Sequence, residues 1–509
     1  MLQLHHDTKK FYLFVLITTT ISGILFILPD FIFYPTVGFK GAVYTALHWA
    51  LNCIPLLLIF YIISLNRYVY LISFPIFILT GTTIAYYSYF YKATLTPMII
   101  DATLNNDLRT SLDVITPYQA IITTIIFFIS VFIARYRYKN IHISKTTYHL
   151  AVAVTILIVI FTINDRVSTS FYQRYPISLF YNLNEYRKLN AYKNTTRINP
   201  DPTLKYKANE ELIVVFVIGE SVRADHLAIN GYKRNTTPLL TKQKNLVSFK
   251  NIYSEYTYTN PSVAHILTRA DSINPELSKT EKSFITLFKN SNYRCTWIAN
   301  QDASTSYYSF MKEADSLIFV RPEKSVYTYS NWLDSDIIPH YISTLNQPHN
   351  NKLIILHTIG SHWFYNSHYP SSYKKFNPIA KSKIVSQNTP EEIINSYDNS
   401  ILFSDKILNE IIENLKNKNA ILIYLSDHGE SLGENGNWLH ASDDKYLKNP
   451  ACFVWYSDTY NNNNTLKIKS LYNNKNRRYR TDFLFHSILA ASSIPSKTIK
   501  NKLNIFNYE

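Results

Sequence analysis

The chain has 509 residues, of which 47% are apolar and only 17% are charged, with a formal net charge of +15. This length exceeds one ordinary domain, and the charged fraction lies below that of typical soluble domains. The basic residues form no concentrated cluster and no recognisable nucleic-acid-binding motif along the sequence, which argues against a nucleic-acid-binding protein. The positive charge fits a domain that sits on an anionic membrane surface.

Five long apolar segments occupy the first third of the chain. They run over residues 11–28, 42–65, 68–90, 118–134 and 149–163. Each is near the length of about 20 residues that a helix needs to cross a bilayer. Loops on the N-terminal side carry more Lys and Arg than the opposite loops, which predicts a cytoplasmic N-terminus. Five crossings then place everything after residue 164 outside the cytoplasm.

The first segment has no small-residue cleavage site, so we predict an anchor and not a cleaved signal peptide. Residues 165–209 are polar and aromatic, which predicts a linker. Its rings suit the membrane interface, although an ordinary linker has the same composition. The sequence therefore predicts a transmembrane domain over 1–164, an interfacial linker over 165–209 and a catalytic domain over 210–509.

Short apolar runs distinguish the last of these regions. Leu212–Ile218, Leu353–Leu356 and Ala420–Leu425 are each followed by polar residues. Such runs predict buried strands of a parallel sheet with helices on both faces. Functional groups of these sheets collect beyond the carboxyl ends of the strands. The asparagine run Asn461–Asn464 is predicted to be a surface loop.

Side chains of metal-ligating type follow the three predicted strands. Glu220 follows the first, His362 the second, and Asp427 with His428 the third. Carboxylate oxygens and imidazole nitrogens are ligands suited to zinc or manganese. Each residue alone has an ordinary interpretation as a helix cap or a hydrogen-bonded polar group. Their common position beyond the strands of one predicted sheet indicates a metal centre.

The segment Tyr258–Val263 contains a candidate nucleophile, Thr259. Asn260 suits the N-cap of a helix and Pro261 suits its first position. Thr259 would then precede a helix N-terminus, which favours anions such as a transferred phosphoryl group. The alternative is that Thr259 or Asn260 only caps the helix, and the spacing leaves both interpretations open.

Three stretches of the chain carry longer motifs. They are Gly219–His226 with Asn230–Tyr232 and Arg234, Ser426–Gly436 with Leu439 and His440, and Gly360–His362 with Tyr369 and Pro370. Together they resemble the motifs of the phosphoethanolamine transferases, which modify lipid A or core sugars and include the mobile colistin-resistance enzymes. The resemblance covers nearly the whole chain. It implies a five-helix transmembrane domain followed by an α/β catalytic domain of the sulfatase and alkaline-phosphatase type.

The resemblance also implies roles for single residues. Glu220, Thr259, Asp427 and His428 fall on the metal ligands, and Thr259 falls on the residue that becomes phosphorylated. The implied metal is zinc, with manganese or magnesium as alternatives. A threonine hydroxyl is a poor nucleophile at neutral pH, and the mechanism relies on a bound divalent cation to lower its pKa.

Four further residues match positions that handle the transferred group. His362 and His440 fall on histidines that contact this group or a second metal. Asn106 and Thr110 resemble residues that bind the ethanolamine end of the donor.

The chain departs from the family pattern at several positions. Trp363 and Phe364 replace a usual Gly-Pro, and Glu255 stands where a cysteine is common. A lysine often found after an Asn-Asn segment is not obvious near Asn300-Gln301, and Val114 stands where an acidic residue is usual. These departures bear on the donor and acceptor contacts and leave the core chemistry intact.

The resemblance implies transfer of phosphoethanolamine from phosphatidylethanolamine to lipopolysaccharide, at lipid A or a core sugar, through a phosphothreonine. The enzyme would be a multi-pass protein of the bacterial inner membrane with its catalytic domain in the periplasm. One alternative is a phosphoglycerol transferase of the lipoteichoic-acid-synthase type, against which the extended motif at 427–436 argues. Others are a hydrolase of the sulfatase or phosphatase type and a non-catalytic membrane sensor, and the complete set of metal-site residues argues against the sensor.

The chain has three cysteines, Cys53, Cys295 and Cys452. Cys53 lies in an apolar segment, so only Cys295 and Cys452 could form a disulfide. The sequence does not decide whether they do.

Overall fold

The computed structural model describes residues 2–91, 94–105, 116–143, 155, 171–192, 197–208, 211–325, 331–440 and 444–508. The chain divides into two compact units. The first unit comprises Met1–Arg187 with Pro322–Ser330, and the second comprises Lys188–Arg321 with Asn331–Glu509.

The first unit is helical in its described part. Its helices are α1 (Leu2–Phe26), α2 (Leu28–Ile32), α3 (Gly38–Ser64), α4 (Arg67–Tyr91), α5 (Pro97–Asn105), α6 (Pro117–Asn140) and α7 (Ile177–Tyr192), the last of which continues into the second unit. Within α1, α3, α4 and α6 lie four stretches long and apolar enough to cross a membrane: Asp7–Phe26, Gly38–Ser64, Arg67–Phe90 and Pro117–Asn140. These four confirm the first four predicted spans. The fifth predicted span, residues 149–163, lies outside the described residues apart from Thr155.

Helix α6 illustrates how local sequence sets an element. The Thr116 side chain accepts a hydrogen bond from the Gln119 N–H, and Pro117 occupies the first helical position. Near the other end of the helix, the buried Arg137 guanidinium donates to the Ser64 carbonyl at the end of α3 (Nε–O 3.1 Å). The cation therefore satisfies a carbonyl that the end of a helix leaves without an intrahelical partner.

The second unit contains eleven strands and nine α-helices among its described residues. The strands are β1 (Ile213–Gly219), β2 (Leu246–Ser248), β3 (Ile252–Tyr253), β4 (Arg294–Ala299), β5 (Ser316–Phe319), β6 (Lys352–His357), β7 (Ala420–Ser426), β8 (Ser431–Leu432), β9 (Trp438–Leu439), β10 (Cys452–Tyr456) and β11 (Tyr479–Arg480). The helices are α8 (Thr259–Leu267), α9 (Leu277–Thr280), α10 (Phe284–Asn290), α11 (Tyr308–Met311), α12 (Ile337–Leu345), α13 (Pro390–Glu413), α14 (Asp458–Asn463), α15 (Thr465–Asn474) and α16 (Phe483–Ala491).

Seven strands form the main sheet, in the order β2-β10-β7-β1-β6-β4-β5. Strands β7, β1, β6, β4 and β5 are parallel, whereas β10 runs antiparallel to both of its neighbours. The three strands predicted from the sequence, β1, β6 and β7, are parallel as expected, whereas the antiparallel β10 makes the whole sheet mixed. Every residue of β1, β6 and β7 is buried, which explains why these strands are apolar without alternation.

The antiparallel direction of β10 fixes the path of residues 427–451. Leu425 of β7 lies opposite Cys452 of β10. Antiparallel neighbours are joined at one edge of a sheet, so this connection leaves and re-enters at the carboxyl end of β7. Asp427, His428 and His440 all belong to it.

The second unit tests the predicted loop at Asn461–Asn464 and shows the state of Cys295 and Cys452. Part of the predicted loop at Asn461–Asn464 is helical, because α14 begins after Ser457, whose side chain accepts from the Tyr460 N–H. All three cysteines are free. Cys295 in β4 and Cys452 in β10 are separated by three intervening strands, roughly 19 Å at about 4.8 Å per strand, far beyond the reach of a disulfide.

Candidate metal centre and nucleophile

The site begins where β1 and β7 end side by side. Gly219 is in register with Ser426, so the next residues, Glu220 and Asp427, leave the sheet as neighbours. Ser221 then adopts a left-handed conformation, with φ 60°. Its N–H donates to Asp427 Oδ1 (3.2 Å) and its hydroxyl donates to Glu220 Oε1 (2.7 Å). These contacts hold both carboxylates and maintain a backbone conformation that is costly for a residue with a Cβ.

Glu220, Asp427 and His428 bring three ligand atoms within 4.8 Å of one another, and all three residues are buried. His428 Nε2 lies 3.5 Å from Glu220 Oε1 and 3.5 Å from Asp427 Oδ2. Ligands about 2.1 Å from a tetrahedral zinc lie roughly 3.4 Å apart, so the spacing fits such an ion. Asp427 Oδ2 and His428 Nε2 are buried without a hydrogen-bond partner. Buried polar atoms are normally paired, and a cation would satisfy both.

The charges of the site lead to the same conclusion. Burial raises the pKa of Asp427 well above its usual range, and the charge of Glu220 raises it further. Burial also acts to raise the pKa of Glu220, but His428, His362 and His440 lower it to about 2. The negative charge of one carboxylate therefore opposes ionisation of the other in this buried site. A bound divalent cation would offset both negative charges.

Thr259 is the first residue of α8, and its hydroxyl donates to Glu220 Oε2 (3.0 Å). The prediction that Asn260 caps this helix is wrong: Tyr258 occupies the cap, and no side chain there bonds to the helix. The Thr259 hydroxyl instead contacts Glu220, which with Asp427 and His428 forms the candidate metal-ligand group. Farther into the helix, the Ser262 hydroxyl donates to the Asp427 carbonyl, which ties α8 to the end of β7.

Gln301 is a site residue that the sequence analysis did not identify. It follows β4, the neighbour of β6 in the sheet, and its Nε2 donates to Glu220 Oε2 (3.0 Å). The same carboxylate oxygen thus accepts from both Gln301 and Thr259. The rule that polar groups collect beyond strand ends could have found it, because Gln301 stands two residues beyond Ala299, the last residue of β4.

His440 lies close to both of the other site histidines. Its ring centroid is 5.4 Å from that of His428 and 5.8 Å from that of His362. Burial lowers the pKa of His362 to about 4. Burial alone would lower the pKa of His440 too, but the buried Glu430 carboxylate, 3.9 Å away, raises it to about 9. The Glu430 carboxylate therefore favours the protonated form of His440.

The predicted donor-binding residues and the positions that depart from the family pattern remain to be placed. Asn106 and Thr110 lie outside the described residues. Trp363 and Phe364 are buried, and the Trp363 indole donates to the Lys383 carbonyl (3.2 Å). The Glu255 carboxylate pairs with Arg480 (2.6 Å).

The rest of the first motif has a structural role. Asp398 of α13 is fully buried and accepts from His226 (2.8 Å), Tyr232 (3.0 Å) and Arg234 (2.8 Å). Its oxygens thus have protein partners, unlike those of the metal-ligand group. This cluster, defined by Asp398, His226, Tyr232 and Arg234, joins the segment after β1 to the long helix.

The strands of the main sheet, the paired carboxylates at their ends and Thr259 on the adjoining helix all lie within one conserved type of domain, the sulfatase domain. The sequence profile of the sulfatase family matches residues 213–494, and the chain belongs to that family. Over 281 residues it is 34% identical to the Kdo(2)-lipid A phosphoethanolamine 7''-transferase of Salmonella typhimurium. The match covers 52% of this chain and 49% of that protein, so the chain spans about half the length of the curated relatives it matches.

Solved structures share the fold. The integral membrane lipooligosaccharide phosphoethanolamine transferase EptA of Neisseria meningitidis covers 97% of each chain, with a TM-score of 0.56 and 20% identity. The zinc complex of the C-terminal periplasmic domain of EptC from Escherichia coli covers 61% of this chain and 90% of that one, with a TM-score of 0.55 and 24% identity. The 34% identity to the Salmonella enzyme confirms the resemblance to phosphoethanolamine transferases that the motifs indicate, and the solved structures confirm the fold.

Proposed function

We propose that this chain transfers phosphoethanolamine from phosphatidylethanolamine to lipopolysaccharide, at lipid A or a core sugar. The group is carried between the two lipids as a covalent intermediate on Thr259. The observation that carries the proposal is the position of the Thr259 hydroxyl, 3.0 Å from Glu220 Oε2 within a group of buried metal-ligating side chains. The names of the curated relatives support the same chemistry.

The reaction takes two displacements at phosphorus. First, Thr259 Oγ1 bonds to the donor phosphorus, the bond from phosphorus to the diacylglycerol oxygen breaks, and the threonine proton ends on diacylglycerol. Second, an oxygen of the acceptor attacks, the bond to Thr259 breaks, and the acceptor proton returns to the threonine. Glu220 holds the hydroxyl in position, and His440 supplies a positive charge near the transferred phosphoryl group.

We propose zinc as the metal, held by Glu220, Thr259, Asp427 and His428, with manganese or magnesium as alternatives. The mixed oxygen and nitrogen ligands and their spacing of 3.5 Å support zinc. When bound, the ion offsets the charge on phosphate oxygens and lowers the pKa of the hydroxyl. Metal analysis of purified protein tests the identity of the ion.

The decisive experiment compares the lipids of cells that express the wild-type chain and Thr259→Ala. We expect phosphoethanolamine-modified lipopolysaccharide only with the wild type, because alanine has no oxygen to offer. Thr280→Ala, an exposed helical threonine, serves as the matched control and should behave as wild type. Protein incubated with donor alone should carry phosphoethanolamine on the peptide that contains Thr259.

The same mass spectra separate the alternatives. Glycerophosphate on the product would indicate a phosphoglycerol transferase. Free phosphoethanolamine with unmodified lipopolysaccharide would indicate a hydrolase. Unchanged lipids would indicate a non-catalytic sensor. Modification at wild-type rate by Thr259→Ala would exclude the covalent threonine.

The membrane arrangement is also part of the proposal. We propose five spans within residues 1–164, a linker over 165–209 and a periplasmic catalytic domain over 210–509 of a bacterial inner-membrane protein. A reporter fused after Lys139 should then read cytoplasmic, and one fused after Arg197 periplasmic. The reverse pattern would overturn this topology. Asn106 and Thr110 are proposed to contact the ethanolamine end of the donor.

A further inference from the structure

We propose that a cationic and aromatic surface beside the nucleophile, made of Lys250, Tyr253, Lys445, Tyr446 and Arg478, binds the phosphate groups of an anionic glycolipid acceptor. We call it the cationic surface. The inference rests on the proposed function and adds to it the residues that recognise the acceptor.

The sheet places Lys250 at the edge that carries the site. The Phe249 N–H donates to the Cys452 carbonyl (2.9 Å), and Cys452 lies opposite Leu425 near the carboxyl end of β7. The chain therefore reaches this edge at residue 249. Lys250 follows directly, and β3 leads on toward Thr259.

The segment 445–449 is hydrogen-bonded to residues 250–254 on one side and to Gly429 on the other. The Ser254 N–H donates to the Lys448 carbonyl (2.9 Å), and the Asn449 side chain donates to the carbonyls of Lys250 (3.0 Å) and Ile252 (2.8 Å). The Gly429 N–H, next to His428, donates to the Leu447 carbonyl (2.7 Å). Backbone hydrogen bonds therefore connect the cationic surface to the segment that contains His428.

The third segment is β11, which pairs in parallel with β3. The guanidinium of Arg478 lies 5.3 Å from the ring centroid of Tyr253, and Lys448 Nζ lies 5.9 Å from it. Lys445 Nζ lies 4.8 Å from the ring centroid of Tyr446. Cations over aromatic rings are held in place, while their charge stays available to a ligand.

The charges of this surface favour an anion. Lys250, Lys445 and Arg478 are exposed, and within the part of the chain that the structure describes no ion pair joins them to a carboxylate. Arg480, by contrast, is paired with Glu255. Like charges on one surface repel each other, and a ligand with several phosphate groups would relieve that repulsion. An arginine fork also matches phosphate geometry in two hydrogen bonds.

The chemistry of the reactants identifies which anion this is. Phosphatidylethanolamine carries one phosphate and one ammonium group, so its headgroup has little net charge and does not need a cluster of cations. A phosphorylated glycolipid acceptor carries several negative charges and must approach Thr259. The cationic surface lies on the backbone that leads to this residue.

The test is binding of full-length protein in detergent to Kdo2-lipid A, compared with the same glycolipid stripped of its phosphates. The surface variant is Lys250→Gln, Lys445→Gln, Arg478→Gln. The matched control is Lys242→Gln, Lys244→Gln, Arg294→Gln, which removes three exposed cations at the amino-end edge of the same sheet. Phosphate-free glycolipid and phosphatidylglycerol vesicles are the further probes.

We expect the surface variant to bind phosphorylated Kdo2-lipid A about tenfold more weakly, since three exposed charge contacts contribute modestly each. The control variant should bind as wild type, and both should bind the phosphate-free glycolipid alike. In turnover, the surface variant should show a raised KM for the acceptor. Equal weakening in the two variants, or weakening toward phosphatidylglycerol vesicles alone, would overturn the proposal. The binding result does not depend on catalysis. Failure of the proposed function would instead appear as no phosphorylation of Thr259 in wild-type protein.

Discussion

Asp398 and Asp427 belong to two buried clusters that each include residues of the motif at 219–234, and the two clusters differ in how their carboxylate oxygens are satisfied. Asp398 accepts hydrogen bonds from three side chains and has partners for both oxygens. Asp427, about as buried, has an oxygen with no hydrogen-bond partner, beside a His428 nitrogen in the same condition. The two aspartates are equally buried, so burial does not distinguish a structural carboxylate from one that binds a ligand. The difference is the carboxylate oxygen of Asp427 that has no hydrogen-bond partner.

The largest effect is expected at Asp427. Asp427→Asn should lose the bound metal and lower transfer by more than about 1,000-fold, equivalent to about 4 kcal/mol. A chelator should lower the melting temperature of wild-type protein, because a ligand bound only to the folded state stabilises it. The variant should no longer respond to the chelator. Asp458→Asn, at the exposed start of α14, is the control. A chelator response in Asp427→Asn would mean that Asp427 is not needed to hold the metal.

Asp398→Asn should act on stability instead. Replacing the carboxylate leaves Arg234 and His226 with a poorer acceptor in a buried place, so the free energy of unfolding should fall by about 3 kcal/mol. Denaturant titration measures this, and metal content should stay at the wild-type level. A folded variant that lacks metal would mean that the two clusters are not independent.

His440→Ala should reduce transfer by about 10- to 100-fold, roughly 2 kcal/mol, while one tightly bound metal remains. His362→Ala should behave in the same direction. His340→Ala, on α12, is the control. Steady-state kinetics and metal analysis on one preparation decide the point, and a metal-free His440 variant would move this residue into the ligand set.

The smallest effect is expected at Gln301, which touches the ligand Glu220 and not the reacting atoms. Gln301→Ala should lower the rate of Thr259 phosphorylation about fivefold, close to 1 kcal/mol, with a small loss of metal affinity. Gln301→Asn should restore part of the rate if the amide positions Glu220. Gln243→Ala, whose amide bonds to Asn409 elsewhere, controls for loss of a glutamine.

Much of this site could be predicted because strand ends are readable in sequence. Glu220, Asp427 and His428 follow apolar runs that are buried throughout, and parallel strands bring such residues to one edge. The direction of β10 was not predictable in the same way, since an apolar run carries no sign of its orientation. Local preference also misled at 461–464, where the cap at Ser457 and the buried Tyr460 favour a helix over a loop.

The cationic surface marks another limit of the sequence. Its cations come from three segments, around residues 250, 445 and 478, and no one segment is distinctive by itself. Only the pairing of β3 with β11 and the hydrogen bonds of Asn449 bring them together. Long-range clusters of this kind depend on tertiary contacts and not on any local pattern.

The return path between β7 and β10 has an evolutionary consequence. Because this connection leaves and re-enters the sheet at one edge, residues can be added to it or removed without shifting the register of any strand. Asn435, Gly436 and Asn437 are exposed within it, and a Cβ on Gly436 would meet nothing within 4 Å. New substrate preferences could therefore arise here by insertion, a few residues from His440, while the sheet beneath stays unchanged.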